Sequence, residues 1–271
     1  MQTSLEGAAM SRTARKLLSQ NFLWNRELVN KLIRGSSVSQ NDSVLEIGSG
    51  KGIITEQLLG ICQKLTAIEA DRRLHSFLKE NLPIKQGLQL LPCDFLDYPL
   101  PSSEPFKVFS NIPFSITGEI VKKLLFSPNP PEDSYLVVQR EAAEKFVGKK
   151  CGNTMLAVIF YPFFDIKIVH TFQRSDFKPK PKVDSCLIQL VKRKSPFIRK
   201  SNVQLYRDFV VYHFGRKRLA PAVTPSEWLA KFDEFIKKHD PRMLNKIGGS
   251  FTKWQAEERK LSKIHRTRTG A

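Results

Sequence analysis

Along the first two thirds of the chain, short apolar runs alternate with stretches of helical periodicity. Leu28, Leu32 and Ile33 mark one face of a short helix. Ser43-Val44-Leu45-Glu46-Ile47 reads as an apolar strand, broken at once by Gly48, Gly50 and Gly52 before helical spacing resumes over 53–59. The pattern predicts a second strand over 64–70, a helix over 72–81 stopped by Pro83, and strands over 88–92 and 107–110. A helix follows over 117–126 and a fifth strand over 134–139. An apolar segment from 154 to 164 is helical up to Pro162, and two further strands cover 166–172 and 186–191.

Short strands alternating with helices predict an α/β fold, a Rossmann-like, mostly parallel seven-stranded sheet with helices on both faces. Ligands of such sheets bind outside the carboxyl ends of the strands. Gly48, Glu69, Asp94 and Asn111 close four successive predicted strands, so the chain gathers its unusual residues at one sheet edge. Strand signals stop near Ser195; segments 203–214, 227–238, 240–247 and 251–260 are helical, separated by Pro221, Pro225 and Gly248-Gly249. The expected organisation is a sheet-bearing catalytic domain, 1–195, and a small all-α domain, 196–271.

Composition adds a partner to this picture. The 271 residues are 41% hydrophobic, enough for a packed core and too much for a disordered chain. Lys and Arg number 44 against 26 Asp and Glu, a net charge of +18; residues 196–271 hold 17 of the basic and 7 of the acidic side chains. That excess predicts a polyanionic partner, although an acidic protein or an anionic membrane surface fits charge alone equally well. Clusters stand at Arg12-Arg15-Lys16, Lys192-Arg193-Lys194, Arg216-Lys217-Arg218 and from Arg259 to Arg268. No apolar run approaches the ~20 residues of a membrane helix, and residues 1–34 lack the apolar core and cleavage site of a secretory signal, so a cytoplasmic protein is expected. Cys62, Cys93, Cys151 and Cys186 are too widely spaced for a metal-binding pair; they are expected to be reduced and structural, and no metal site is expected.

Two clusters carry candidate chemistry. Gly48-Ser49-Gly50-Lys51-Gly52 is a strand-to-helix glycine turn that lets a cofactor approach the backbone, but it matches neither the dinucleotide GxGxxG nor a phosphate loop. Glu69, 21 residues beyond Gly48, is placed to accept from ribose hydroxyls, and Asp94 from an adenine amine. Both also suit solvated turn positions. Together with the loop they point to an adenosine-bearing cofactor without a required pyrophosphate. The second cluster is Ser110-Asn111-Ile112-Pro113-Phe114. The Asn111 side-chain oxygen and the Ile112 carbonyl can accept both hydrogens of an adenine amine, drawing its nitrogen toward sp³ geometry and freeing its lone pair. Pro113 fixes the turn, and Phe114 offers a face for an extruded base. An ordinary Asn-x-Pro turn with a core phenylalanine is the plain alternative.

These residues carry a family resemblance. Asn111-Ile112-Pro113-Phe114 resembles the Asn-[Ile/Leu]-Pro-[Tyr/Phe] signature of rRNA adenine N6-methyltransferases. Gln20-Asn21-Phe22-Leu23 is similar to that family's N-terminal cofactor motif, Glu46 to Gly52 to its S-adenosylmethionine loop, and Ser175 to Ser185 to the segment before its last strand. The resemblance covers most of the chain. It implies S-adenosylmethionine contacts at Asn21, Leu23, Gly48, Gly50, Glu69, Asp94 and Asn111. It implies handling of the target adenine by Asn111, Ile112, Pro113 and Phe114. Phe177 resembles an aromatic lining the base pocket from the other side; a core phenylalanine is its alternative.

The family has an Erm branch, which methylates one 23S rRNA adenosine and confers macrolide–lincosamide–streptogramin B resistance. Its KsgA branch dimethylates adjacent adenosines of 16S rRNA in the 30S subunit. The Gly-Ser-Gly-Lys-Gly loop, Ile112, Arg174-Ser175-Asp176-Phe177, Tyr206-Arg207-Asp208-Phe209-Val210 and Trp254-Gln255 resemble Erm; Phe114 departs from the Tyr of many Erm enzymes. The expectation is therefore a monomeric enzyme acting on 23S rRNA, with 16S rRNA or the 30S subunit as the alternative. A non-catalytic RNA-binding relative is the third reading.

Overall fold

A computed structural model describes residues 21–83, 86–147, 154–215, 223–238 and 240–269, with side chains as far as Leu261 in the last stretch. The expected fraying of residues 1–10, the Arg12-Arg15-Lys16 and Arg216-Lys217-Arg218 clusters, and Cys151 lie outside these residues.

The described strands are β1 (Phe22–Leu23), β2 (Ser43–Ile47), β3 (Lys64–Ile68), β4 (Leu88–Leu91), β5 (Lys107–Asn111), β6 (Asp133–Gln139), β7 (Phe164–Thr171), β8 (Phe177–Lys178) and β9 (Ser185–Lys192). Seven form one sheet in the order β4-β3-β2-β5-β6-β9-β7. Its first five strands, from β4 to β6, pair in parallel, with Ile47 opposite Ile68, Ile68 opposite Leu91 and Asn111 opposite Val137. The register brings the ends of β2, β3 and β4 level, so Gly48, Glu69 and the segment to Asp94 emerge from one edge. Helix α1 (Arg26–Arg34) leads into β2; the crossover helices are α2 (Ile53–Leu59), α3 (Arg72–Asn81) and α4 (Thr117–Leu125), with α5 (Arg140–Val147) and α6 (Met155–Phe160) beyond β6.

Caps define the helix starts. The Asn25 side chain accepts the Leu28 N–H at 3.1 Å, and that of Asp71 accepts the Arg73 N–H at 2.8 Å. The seven-stranded mostly parallel architecture predicted above is the one observed. Three local features differ. Helix α5 was not predicted, since only Ala143 and Phe146 of its eight residues are buried and the apolar signal is sparse. Helix α6 ends at Phe160, and the following strand starts at Phe164 rather than Ile166. A second, two-stranded sheet pairs β1 antiparallel with β8, Leu23 opposite Phe177.

Two compact units divide the chain. One takes in the described residues up to Arg140 together with Val169–Gln189. Its core packs Val29 and Ile33 of α1 and Ile54 and Leu58 of α2 with Val44, Leu65 and Phe109 of the sheet. The other takes in the described residues of Glu141–Ile168 and those from Leu190 on. It holds α7 (Val203–Gly215), α8 (Pro225–Lys238), α9 (Pro241–Ile247) and α10 (Ser250–Thr269). Tyr206 is its centre: fully buried, edge-to-face with Phe232 at 5.1 Å, its hydroxyl donating to the Val158 carbonyl at 2.8 Å. Buried Asp208 accepts the Phe251 N–H at 2.8 Å, satisfying an otherwise orphaned donor at the start of α10.

Candidate active site

The loop after β2 is shaped by its glycines. Gly48, Gly50 and Gly52 have φ of 73°, 57° and 84°, a region that side chains other than glycine's rarely enter. The N–H groups of Gly48 and Ser49 both donate to the Ile68 carbonyl, at 2.8 and 3.1 Å, bending the loop over the end of β3. There the loop meets Glu69. The Gly50 N–H donates to Glu69 Oε2 at 2.8 Å and the Asp71 N–H to Oε1 at 2.9 Å. The carboxylate is 4% exposed, and burial raises its pKa against the pull of these two donors. A carboxylate has about four acceptor positions, so these two bonds do not exhaust it.

Asp94 lies in the turn after β4. Its Oδ1 accepts the Leu96 N–H at 2.8 Å, and its carbonyl accepts the N–H groups of Asp97 and Tyr98. The side chain therefore shapes the turn that presents its remaining lone pairs.

The turn after β5 is tied to the loop from below. Ser110, fully buried, accepts the Ile47 N–H on its Oγ at 2.7 Å, joining the ends of β5 and β2. Asn111 Nδ2 donates to the Asn21 carbonyl at 2.8 Å, which fixes the amide plane. Its Oδ1 is buried and meets no hydrogen-bond partner among the described residues. Leaving such an acceptor unpaired costs about 1–3 kcal/mol, so this oxygen is a standing demand for a donor. Ile112 is buried, whereas Pro113 is exposed with φ −61°, and Phe114, half-buried, opens a 3-10 turn over Phe114–Ile116. A Cβ added to Gly48 would stand 3.7 Å from Pro113 Cδ, so the loop and this turn face each other in contact.

Around these groups the short β1–β8 sheet forms a strap. Asn21 supplies the carbonyl that holds Asn111. Phe22 lies against Gly50, where an added Cβ would come within 2.8 Å of its ring. Leu23 is buried. Phe177, 1% exposed, sits opposite Leu23 and edge-to-face with Phe172 at 5.4 Å, inside the core cluster. The structure thus brings Asn21, Gly48, Gly50, Glu69 and Asn111 to one sheet edge and buries the Phe177 ring in the core cluster. Sequence reasoning missed Ser110 as a tie and the pair Thr55–Glu46, in which the Thr55 hydroxyl donates to the buried Glu46 carboxyl at 2.6 Å. A Glu inside an otherwise apolar strand was the available signal.

Among the described residues, a buried amide oxygen without a partner, a glycine loop and a buried carboxylate at the end of the neighbouring strand form a donor and acceptor set that S-adenosylmethionine fits. The family described as "Ribosomal RNA adenine dimethylase" matches residues 11–220, and the chain belongs to that family of S-adenosylmethionine-dependent enzymes. The chain is 34% identical over 229 residues to the ribosomal RNA small subunit methyltransferase A of Chlorobium luteolum, covering 81% of each chain. It is 34% identical over 193 residues to an rRNA adenine N-6-methyltransferase of Limosilactobacillus reuteri, covering 71% of this chain and 77% of that one. Among solved structures it is similar to the 23S rRNA methyltransferase ErmE, with 28% identity, a TM-score of 0.71, and 79% of this chain and 98% of that one covered. A dimethyladenosine transferase from Plasmodium falciparum aligns with a TM-score of 0.63 at 28% identity, covering 72% of this chain and 71% of that one. No helix of the described residues is long and apolar enough to cross a membrane.

Proposed function

We propose that this rRNA adenine methyltransferase acts as a monomer on the N6 amine of a specific adenosine in 23S rRNA and thereby confers macrolide–lincosamide–streptogramin B resistance. The likeness to ErmE over nearly all of that chain carries the reading. The loop supports it: Ser49 uses its N–H on the Ile68 carbonyl, a bond that the proline of the usual KsgA loop cannot make. The 34% identity to a small-subunit enzyme over 81% of both chains favours a second reading, dimethylation of 16S rRNA.

In either case the chemistry of the site is the same. Asn21, Leu23, Gly48, Gly50, Glu69, Asp94 and Asn111 would hold S-adenosylmethionine, which would supply a methyl group on a sulfonium. The Asn111 Oδ1, already desolvated and fixed by Asn21, accepts one amine hydrogen of the flipped adenine, and the Ile112 carbonyl accepts the other. Both acceptors strengthen as positive charge develops on that nitrogen, so they stabilise the transition state more than the ground state. Phe114 stacks on the base, and Phe177, buried in the core cluster, backs the base pocket from the other side. The basic residues of 196–271 bind RNA phosphates.

Expression in a macrolide-sensitive bacterium lacking small-subunit rRNA dimethylation tests the two readings at once. The 23S reading predicts joint resistance to macrolides and lincosamides, because methyl groups on the amine remove a donor and fill space against the drug. Restored 16S dimethylation with unchanged drug sensitivity supports the other reading.

A further inference from the structure

We infer that Trp24 is a stacking platform for a base of the RNA substrate that flanks the methylated adenosine. The inference rests on RNA being the substrate and adds a subsite to it.

Trp24 follows β1 directly and is 49% exposed. It is nevertheless held in place. Its indole N–H donates to the Ser175 carbonyl at 2.6 Å, its backbone N–H donates to the Asp176 carbonyl at 3.3 Å, and Lys178 Nζ lies 3.8 Å from the ring centroid. A large aromatic that is fixed at its edge and capped by a cation, yet half open to water, is preorganised without being buried. Core packing does not require that arrangement, and it leaves about half of the residue's surface open to a flat partner.

Its position says which partner. Asn21, whose carbonyl holds the catalytic Asn111 amide, is three residues away, a separation of no more than about 11 Å along extended chain. Lys178, at the end of β8, and Lys180 and Lys182, on the segment that follows it, are all exposed. Phosphates with π-faces between them match cations beside an exposed indole, and base–aromatic stacking tolerates any base. An acidic peptide would satisfy the lysines and leave the ring unused.

Two substitutions separate stacking from a mere clip between β1 and β8. Trp24→Ala removes ring and hydrogen bond; Trp24→Phe keeps a π-face and loses the bond to Ser175. RNA affinity is measured with a 23S rRNA transcript and with a mixed-sequence single-stranded RNA, alongside S-adenosylmethionine affinity and kcat at saturating RNA. Platform stacking predicts that Trp24→Ala weakens RNA binding about 5- to 150-fold with cofactor affinity unchanged, while Trp24→Phe stays close to wild type. It also predicts that fluorescence quenching on RNA addition is reduced in Trp24→Phe. Equal weakening in both variants overturns the platform in favour of the clip, and two variants that match the wild type overturn it outright. A wild-type protein that neither binds nor methylates RNA overturns the substrate reading itself.

Discussion

Replacing Gly50 by alanine concentrates the geometry of the site in one methyl group. Gly50 has φ 57°, where a side chain costs about 1–2 kcal/mol. The new Cβ would stand 2.8 Å from Phe22 Cε1 and 3.0 Å from Cδ1, contacts that must be relieved by moving β1 or the loop. Overpacking of this kind costs a further ~1–3 kcal/mol. The total, about 2–5 kcal/mol, is shared between stability and binding. If the loop yields, the Gly50 N–H leaves Glu69; if β1 yields, the Asn21 carbonyl leaves Asn111. Either relaxation loosens S-adenosylmethionine, by about 30-fold if 2 kcal/mol falls on binding. Without relaxation the loss appears in the melting temperature, at about 2–4 °C per kcal/mol. Calorimetric titration with the cofactor and thermal unfolding read the two shares. Gly118→Ala is the control, because Gly118 lies in the first turn of α4, where an added Cβ meets no described atom outside its own helix within 4 Å; it is expected to leave cofactor affinity unchanged and stability equal or higher. A Gly50→Ala protein that melts with the wild type and binds the cofactor as tightly would refute the cradle as described.

Further predictions concern the buried acid, the amide and the stacking ring. Burial pushes the Glu46 carboxyl from 4.5 up to about 7, so the folded protein keeps a proton that the unfolded chain releases. Its contribution to stability is fully present below pH 4.5 and is lost as pH rises to about 7, on the order of 3 kcal/mol. Glu46→Gln removes that slope, and denaturant unfolding at pH 5 and pH 8 that leaves wild type and variant in parallel would contradict it. Asn111→Ala is expected to cut single-turnover methyl transfer strongly while leaving most cofactor affinity; near-normal turnover removes Asn111 from the mechanism. Asn111→Asp keeps an acceptor but sets a carboxylate against the Asn21 carbonyl, so it should be no better than alanine in the same assay. Phe114→Ala should weaken use of RNA by about 1–3 kcal/mol and Phe114→Tyr should be tolerated; similar, active variants would exclude stacking there.

Much of the fold was legible because each central strand is an apolar run cut off by a residue that cannot belong to its interior: Gly48 after β2, Glu69 after β3, Asn111 closing β5. The same punctuation marks the candidate site, since in a parallel sheet those ends share one edge. What escaped was non-local or weakly patterned. The β1–β8 pairing joins two-residue strands more than 150 positions apart, too short for any alternation to register. The hydrogen bond from Asn111 to the Asn21 carbonyl depends on that pairing, so the reason the amide oxygen is the free acceptor could not be read from the motif. Phe177 reads from its motif either as a pocket aromatic or as a core phenylalanine, and burial in the core cluster, which depends on packing distant in sequence, is not visible in the motif.

Methyl transfer from labelled S-adenosylmethionine to naked 23S rRNA, naked 16S rRNA and 30S subunits, with the modified nucleoside identified, tests the account most directly. It predicts N6-methylated adenine in 23S rRNA alone, lost on Asn111→Ala. Label confined to 16S rRNA or 30S subunits would contradict the proposed substrate, and label in none of the three would contradict the account of the site.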